Sequence, residues 1–304
     1  LPTKSRNIAL VLSSGGARGL AHIGVIDTLL ERGYRITSIA GSSIGSLIGG
    51  LYATGSLDRY RDWVVGLDKL DVLRLLDFTL SAKGFVKGER VFNRMRKLQL
   101  IPDVNIEELP IPYAAVATDL VSNREVVFTS GSLIKAIRAS IAIPAFFTPV
   151  DASENLYVDG GVLNPMPLNR VHRNPNDFLV AVDINALIPY QRAKTEQPEE
   201  SFRIPGSKRI EALLRKWDEF IGHNHQFDDD KREKAKGMGY IDIIGRCVQL
   251  MQSQMTRHSL EVHKPDILIE ISKNACSVFE FYRAQELIDH GREVCARKLD
   301  ELGL

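Results

Sequence analysis

Cysteine is scarce in this 304-residue chain, which has three: Cys247, Cys276 and Cys295. They form no CxxC pair, and no histidine stands near them at zinc-ligand spacing. An odd number excludes a complete disulfide framework, and the thiols read as free side chains in a reducing compartment. A charge of one sign is missing too. There are 39 Lys and Arg against 38 Asp and Glu, a net +1. A nucleic-acid binder usually carries a basic excess, so no nucleic-acid partner is expected. Long hydrophobic runs are also absent, and Ile141 to Phe147 falls far short of the roughly 18 residues that span a bilayer. No signal-peptide pattern opens the chain, although it begins Leu-Pro rather than Met, which leaves room for an upstream segment. These absences point to a cytoplasmic protein whose membrane contact, if it has one, is peripheral. At 44% apolar and 25% charged, the composition is ordinary globular. The length suffices to bury a core without disulfides or metal.

The first third reads as alternating strand and helix. Ile8 to Leu12 is a short apolar run ending in Ser-Ser-Gly-Gly, a buried strand and its loop. Leu20 to Arg32 is helical by spacing and stops at Gly33. Ile36 to Ala40 is a second strand and Gly45 to Ala53 a second helix of small residues. This order favours a parallel sheet. Further along, the pattern predicts helices over Arg59 to Leu76, Glu89 to Leu98 and Ser132 to Ser140. It predicts strands over Tyr113 to Thr118, Glu125 to Phe128, Leu156 to Val158 and Phe178 to Val182. A long helix (Tyr240 to Glu261), a strand (Asp266 to Ile271) and a terminal helix (Val278 to Leu299) close the chain.

Between Gln191 and Lys236 the composition shifts to about 21 charged residues in about 46. Within it Ile210, Leu213, Leu214, Trp217, Phe220 and Ile221 share one helical face. A lid or membrane-contact element, a dimer contact and ordinary core packing all fit that face. The reading is one domain over residues 1–304: a catalytic core about 7–170, a charged helical insertion about 191–236 and a C-terminal helical part about 237–304. The oligomeric state stays open, a homodimer included.

The chemistry begins at Gly41-Ser42-Ser43-Ile44-Gly45, a G-x-S-x-G pattern between a predicted strand and helix, the context a nucleophile elbow requires. A turn that tight excludes bulky side chains two residues either side of the serine. Ser43 would then sit at a helix N-terminus, where partial positive charge and free N–H groups favour an oxyanion. The loop Ser13-Ser14-Gly15-Gly16-Ala17-Arg18-Gly19 follows the first strand, and consecutive glycines let N–H groups converge on one anionic point. It lacks the first glycine of a dinucleotide loop and the G-K-[ST] of a P-loop. An oxyanion hole serving Ser43 needs only its N–H groups. Arg18 either steadies this loop or reaches a polar head group.

An activated serine needs a base. No histidine stands in a context that singles it out. Three aspartates follow strand-like runs: Asp119, Asp159 and Asp183. An ordinary carboxylate, with a pKa near ~3.9, is a poor base for a hydroxyl unless burial raises its basicity. Asp159 leads modestly, because Gly160-Gly161 lets its backbone pass close to another loop.

The ordered set Ser14-Gly15-Gly16-Ala17-Arg18-Gly19, Gly41-Ser42-Ser43-Ile44-Gly45 and Asp159-Gly160-Gly161 resembles the patatin-like phospholipases. The stretches Leu20 to Val25, Arg138 to Pro144 and Asn164 to Pro167 are similar as well, so the likeness runs from about Asn7 to Arg170. Ser14 replaces that family's first loop glycine, and Asp-Gly-Gly replaces Asp-Gly-Ala. The resemblance implies a three-layer α/β/α sandwich with a mostly parallel central sheet. It implies a Ser–Asp dyad without histidine, with Ser43 as nucleophile and Asp159 as base. Gly15 and Gly16 N–H groups would form the oxyanion hole, Ile44 N–H would add a third donor, and Arg18 fills the loop's basic position. The expected activity is serine acyl hydrolysis of lipid esters, with no metal and no organic cofactor. Two rivals are an acyltransferase using the same acyl-enzyme and a non-catalytic lipid-binding module of this fold. Ile141, Ile143, Phe146 and Phe147 are candidates for an acyl pocket or for plain core.

Overall fold

The computed structural model describes residues 6–75, 78–81, 84–86, 89–144, 147–190 and 240–304. The charged stretch 191–236, with its amphipathic face around Trp217, lies outside the described residues. The first strand, β1 (Asn7–Leu12), leads into α1 (Ala21–Glu31), and β2 (Arg35–Ser42) leads into α2 (Ile44–Ala53). Next come α3 (Leu57–Val65), α4 (Lys69–Leu75), a hairpin of β3 (Phe78–Ser81) and β4 (Gly84–Val86), and α5 (Glu89–Lys97). The middle is β5 (Tyr113–Asp119), β6 (Arg124–Phe128), α6 (Leu133–Ser140), β7 (Val150–Ala152), β8 (Asn155–Asp159) and β9 (Phe178–Ala186). The last elements are α7 (Tyr240–His263), β10 (Ile267–Ser272) and α8 (Ala284–Glu301).

One eight-stranded sheet runs in the order β10-β9-β1-β2-β5-β8-β7, with β6 on the other edge of β5. The five strands from β10 to β5 are parallel, and β6, β7 and β8 pair antiparallel. β1 shows why its sequence is an unbroken apolar run. Ile8, Leu10 and Leu12 pack with residues of α1 and α8 on one face. Ala9 and Val11 pack with Leu168, Leu179 and Leu260 of α7 on the other. A strand covered on both sides has no polar face to alternate. The arrangement is the expected α/β/α sandwich.

Helices α1 and α8 meet at two glycines. A Cβ on Gly24 would fall 1.9 Å from the Ile288 carbonyl oxygen, and one on Gly291 would fall 2.1 Å from that of Ala21. The backbones therefore touch at positions where any side chain would hold them apart.

Two predicted elements differ, and three short strands were not predicted. The helix predicted over Arg59 to Leu76 divides into α3 and α4, because Asp68 starts a new cap: Asp71 N–H donates to Asp68 Oδ1 at 2.7 Å. The terminal helix begins at Ala284, not Val278. Val278, Phe279 and Phe281 look helical by their apolar character, but they line a cavity near Ser43. The β3–β4 hairpin and β7 were not anticipated. They are short strands in sequence without clear period-2 alternation.

Candidate active site

The sheet register brings Ser43 and Asp159 together. Along one edge of β5, residues 113–116 pair with the end of β2, and Ser42 lies opposite Val116. β6 occupies the other edge over Ala115 to Asp119. β8 must therefore share the edge with β2, and Asp159 lies opposite Ala117. Thus β2 and β8 run toward each other and end opposite consecutive β5 residues. Ser43 begins where β2 stops, and Asp159 ends β8.

Ser43 has φ 54° and ψ −124°, a conformation L-residues seldom adopt outside such turns. Its N–H donates to Ser140 Oγ at 2.9 Å, and Ser140 Oγ donates to the Val116 carbonyl at 2.5 Å. Its carbonyl accepts from Ser46 Oγ at 2.6 Å. The turn closes because Gly41 and Gly45 have no side chains. A Cβ on Gly41 would lie 2.4 Å from the Gly45 carbonyl, and one on Gly45 would lie 2.2 Å from the Leu12 oxygen.

Ser43 Oγ donates to Asp159 Oδ2. The other carboxylate oxygen accepts the Gly161 N–H at 2.7 Å, across the short turn Gly160–Val162. Asp159 N–H donates to the Ala142 carbonyl at 2.9 Å. Both side chains are buried, with Asp159 5% and Ser43 4% exposed. Burial pushes the Asp159 carboxyl up to about 6, against the two hydrogen bonds, which favour the ionised form. This is the change the sequence argument requires of a carboxylate base.

The loop after β1 emerges beside Ser43 because Leu12 pairs with Gly41. Gly16 has φ 61°, and a Cβ there would strike Val278 at 2.4 Å. Among the described residues, no acceptor takes the N–H of Gly15, Gly16 or Ile44. Gly19 lies against Ile44, where a Cβ would clash at 2.2 Å. Ser14 is not among the residues with positive φ, so serine stands there without strain. Arg18 is 4% exposed and turned away from the site. It donates to the Ile184 and Cys276 carbonyls and to Asn185 Oδ1, at 3.0, 3.1 and 2.8 Å. It ties the loop to β9 and the β10–α8 connection.

The competing aspartates have other tasks. Asp119 accepts from Val121 N, Ser122 N and Oγ, and Leu156 N, which caps the β5–β6 turn. Asp183 is buried beside Asn185 N on β9. Among the described residues no histidine hydrogen-bonds to Ser43 or Asp159. His22 faces the Ser13 carbonyl at 3.0 Å, and burial lowers its pKa to about 4.

An apolar cavity of about 100 Å³ opens at Ser43, Gly16 and Ile44. Ile141, Ile143 and Phe147 line it as anticipated, and Phe146 lies outside the described residues. Helices α3 and α5 contribute Tyr60, Trp63 and Met95, which the sequence reading missed. It also missed Ser140 and Gln252, whose side-chain amide donates to the Gly161 carbonyl at 2.9 Å. Neither carries a local signature, since both contacts cross long stretches of chain. No cluster of metal-ligating side chains occurs among the described residues, and none of their helices is long and apolar enough to cross a membrane.

An α/β sandwich with a strained serine at the end of a parallel strand, bonded to a buried carboxylate, has the architecture of a serine hydrolase. The comparisons are more specific. A family model described as patatin-like phospholipase matches residues 10–172, and the chain belongs to that family. By kind, then, it is a lipid ester hydrolase. An uncharacterised NTE family protein of Mycobacterium tuberculosis is 35% identical over 335 residues, covering 98% of this chain and 92% of the relative. Neuropathy target esterase sws of Drosophila melanogaster is 33% identical over 187 residues, which cover 59% of this chain and only 13% of that protein. Among solved structures, VipD of Legionella pneumophila superposes with a TM-score of 0.46 at 14% identity, over 98% of this chain and 67% of that one.

Proposed function

We propose that the chain hydrolyses carboxylic esters of lipids through an acyl-enzyme on Ser43, with Asp159 as the base. The observation that carries this reading is the hydrogen bond from Ser43 Oγ to a carboxylate whose burial lifts its pKa to about 6. Ser43 oxygen attacks the ester carbonyl, and its proton passes to Asp159 Oδ2. The carbonyl oxygen becomes an oxyanion facing the free N–H groups of Gly15, Gly16 and Ile44. The carbon–oxygen bond to the alcohol breaks, and the leaving alkoxide takes the proton from Asp159. A water then attacks the Ser43 ester, gives its proton to Asp159 and releases the acid, returning the proton to Ser43. The apolar cavity beside Ser43 supports a lipid acyl chain as the group transferred. The proposed substrate surface is peripheral to a membrane.

A fluorophosphonate probe tests this reading. Wild type is expected to label covalently at Ser43 and Ser43→Ala not at all. Equal labelling of the two proteins, or none of wild type, would sink it.

A further inference from the structure

The cavity that opens at Ser43 is hydrocarbon almost throughout, and its exceptions are informative. Besides Ser43 itself, Tyr60 and Trp63 are the only residues among its described lining whose side chains carry a hydrogen-bonding N or O group. Both lie on α3, with ring centroids 5.7 Å apart. Tyr60 is 2% exposed. Its hydroxyl has no hydrogen-bond partner among the described residues, and neither has the Trp63 indole N–H. The buried tyrosine at β5 makes the contrast. Tyr113, 3% exposed, donates its hydroxyl to the Ser46 carbonyl at 2.7 Å. Buried phenols normally find such a partner.

A cavity of about 100 Å³ is large enough to admit a water that could hydrate the Tyr60 hydroxyl. An acyl chain filling the cavity would displace that water. A saturated chain would leave the phenol buried with no partner, which is costly. A chain carrying an oxygen at that depth would replace the lost bond. We infer that this pocket selects acyl chains bearing an oxygen function, a hydroxyl or a keto group, that hydrogen-bonds to the Tyr60 hydroxyl. The inference rests on the hydrolase reading above only in taking the cavity as the acyl site.

Binding of free acids tests it without turnover, so its outcome is separate from that of the Ser43 labelling. Wild-type protein is titrated calorimetrically with fatty acids of one chain length, either unsubstituted or hydroxylated at successive positions. Affinity is expected to peak at one hydroxyl position, roughly tenfold above the unsubstituted acid. In Tyr60→Phe the peak is expected to vanish while the unsubstituted acid binds at least as well. That variant loses one oxygen and no intramolecular hydrogen bond, so its fold is expected to survive. Trp63→Phe is the companion variant and is expected to keep the peak. A flat series in wild type overturns the inference, as does failure of every acid to bind. So does a peak that persists in Tyr60→Phe, or one that Trp63→Phe removes and Tyr60→Phe retains.

Discussion

Asp159 sits in a conflict between stability and chemistry. An ordinary aspartate titrates near 3.8, and this one is raised to about 6. A rise of that size corresponds to about 3 kcal/mol favouring the protonated carboxyl in the folded chain. The folded state thus holds its proton where the unfolded chain has lost it. Stability from this group falls as pH rises from 3.8 to about 6 and is level above. Catalysis needs the opposite form, because only the carboxylate accepts a proton. We therefore expect kcat/KM to climb with pH through about 6 and then level off; an acid limb near pH 4 would contradict the buried base. We also expect Asp159→Asn to lose turnover while melting at a higher temperature than wild type at pH 8. The amide keeps an acceptor for Gly161 N–H and removes the buried charge, a gain of up to about 3 kcal/mol. An inactive variant that melts lower would show that the carboxylate is not under strain. At this scale the sequence was informative where the requirement is local. Ser43 is marked by its flanking glycines, and Asp159 by the two that follow it. Ser140, which receives the Ser43 N–H, carries no such mark because its partner lies 97 residues away.

Helices α1 and α8 hold the loop next to Ser43, since α1 follows the Gly16–Leu20 turn directly. Their contact depends on Gly24 and Gly291. Gly291→Ala improves intrinsic helix propensity by about 1 kcal/mol. It also drives a methyl group to within 2.1 Å of the Ala21 carbonyl, a backbone atom that cannot swing aside. Overpacking of this sort costs about 1–3 kcal/mol. The net expectation is a lower urea midpoint with an unchanged slope. A midpoint equal to or above that of wild type would mean that the helices separate freely. The main helices were legible from their local period, and most parallel strands from short continuous apolar runs bounded by turn residues. The α3–α4 break was not, since one apolar pattern continues through both and only a short turn, from the Gly66 C-cap to the Asp68 cap, separates them. The Val278 to Phe281 segment misled for a related reason. Its apolar residues serve the cavity next to Ser43, and pattern alone does not tell a cavity wall from a helix face.

At the scale of the whole molecule, the residues that match the family model are not the whole sheet. That match ends at residue 172, before β9 begins at Phe178. β9 is nevertheless an interior strand, paired with β1 over Ile8 to Leu12 and with β10 on its other side. Arg18 is anchored on the Ile184 and Cys276 carbonyls, both beyond the match. The α8 residues Leu287, Ile288 and Leu299 belong to the same core as β1. A fragment of residues 7–172 would turn β1 into an open edge and expose one face of its apolar run. Burying each such Leu or Ile is worth roughly 1.5–3 kcal/mol, so losing several exceeds the ~5–15 kcal/mol that holds a typical domain folded. We therefore propose one cooperative unit from β1 to α8 and expect the 7–172 fragment to be unfolded or aggregated. The full chain is expected to unfold in a single transition, seen alike by far-ultraviolet circular dichroism and by tryptophan emission. A soluble fragment that labels with fluorophosphonate would refute this unity. Two separated transitions in the full chain would do the same, because β9 and β10 would then be dispensable to the strand that precedes the glycine loop.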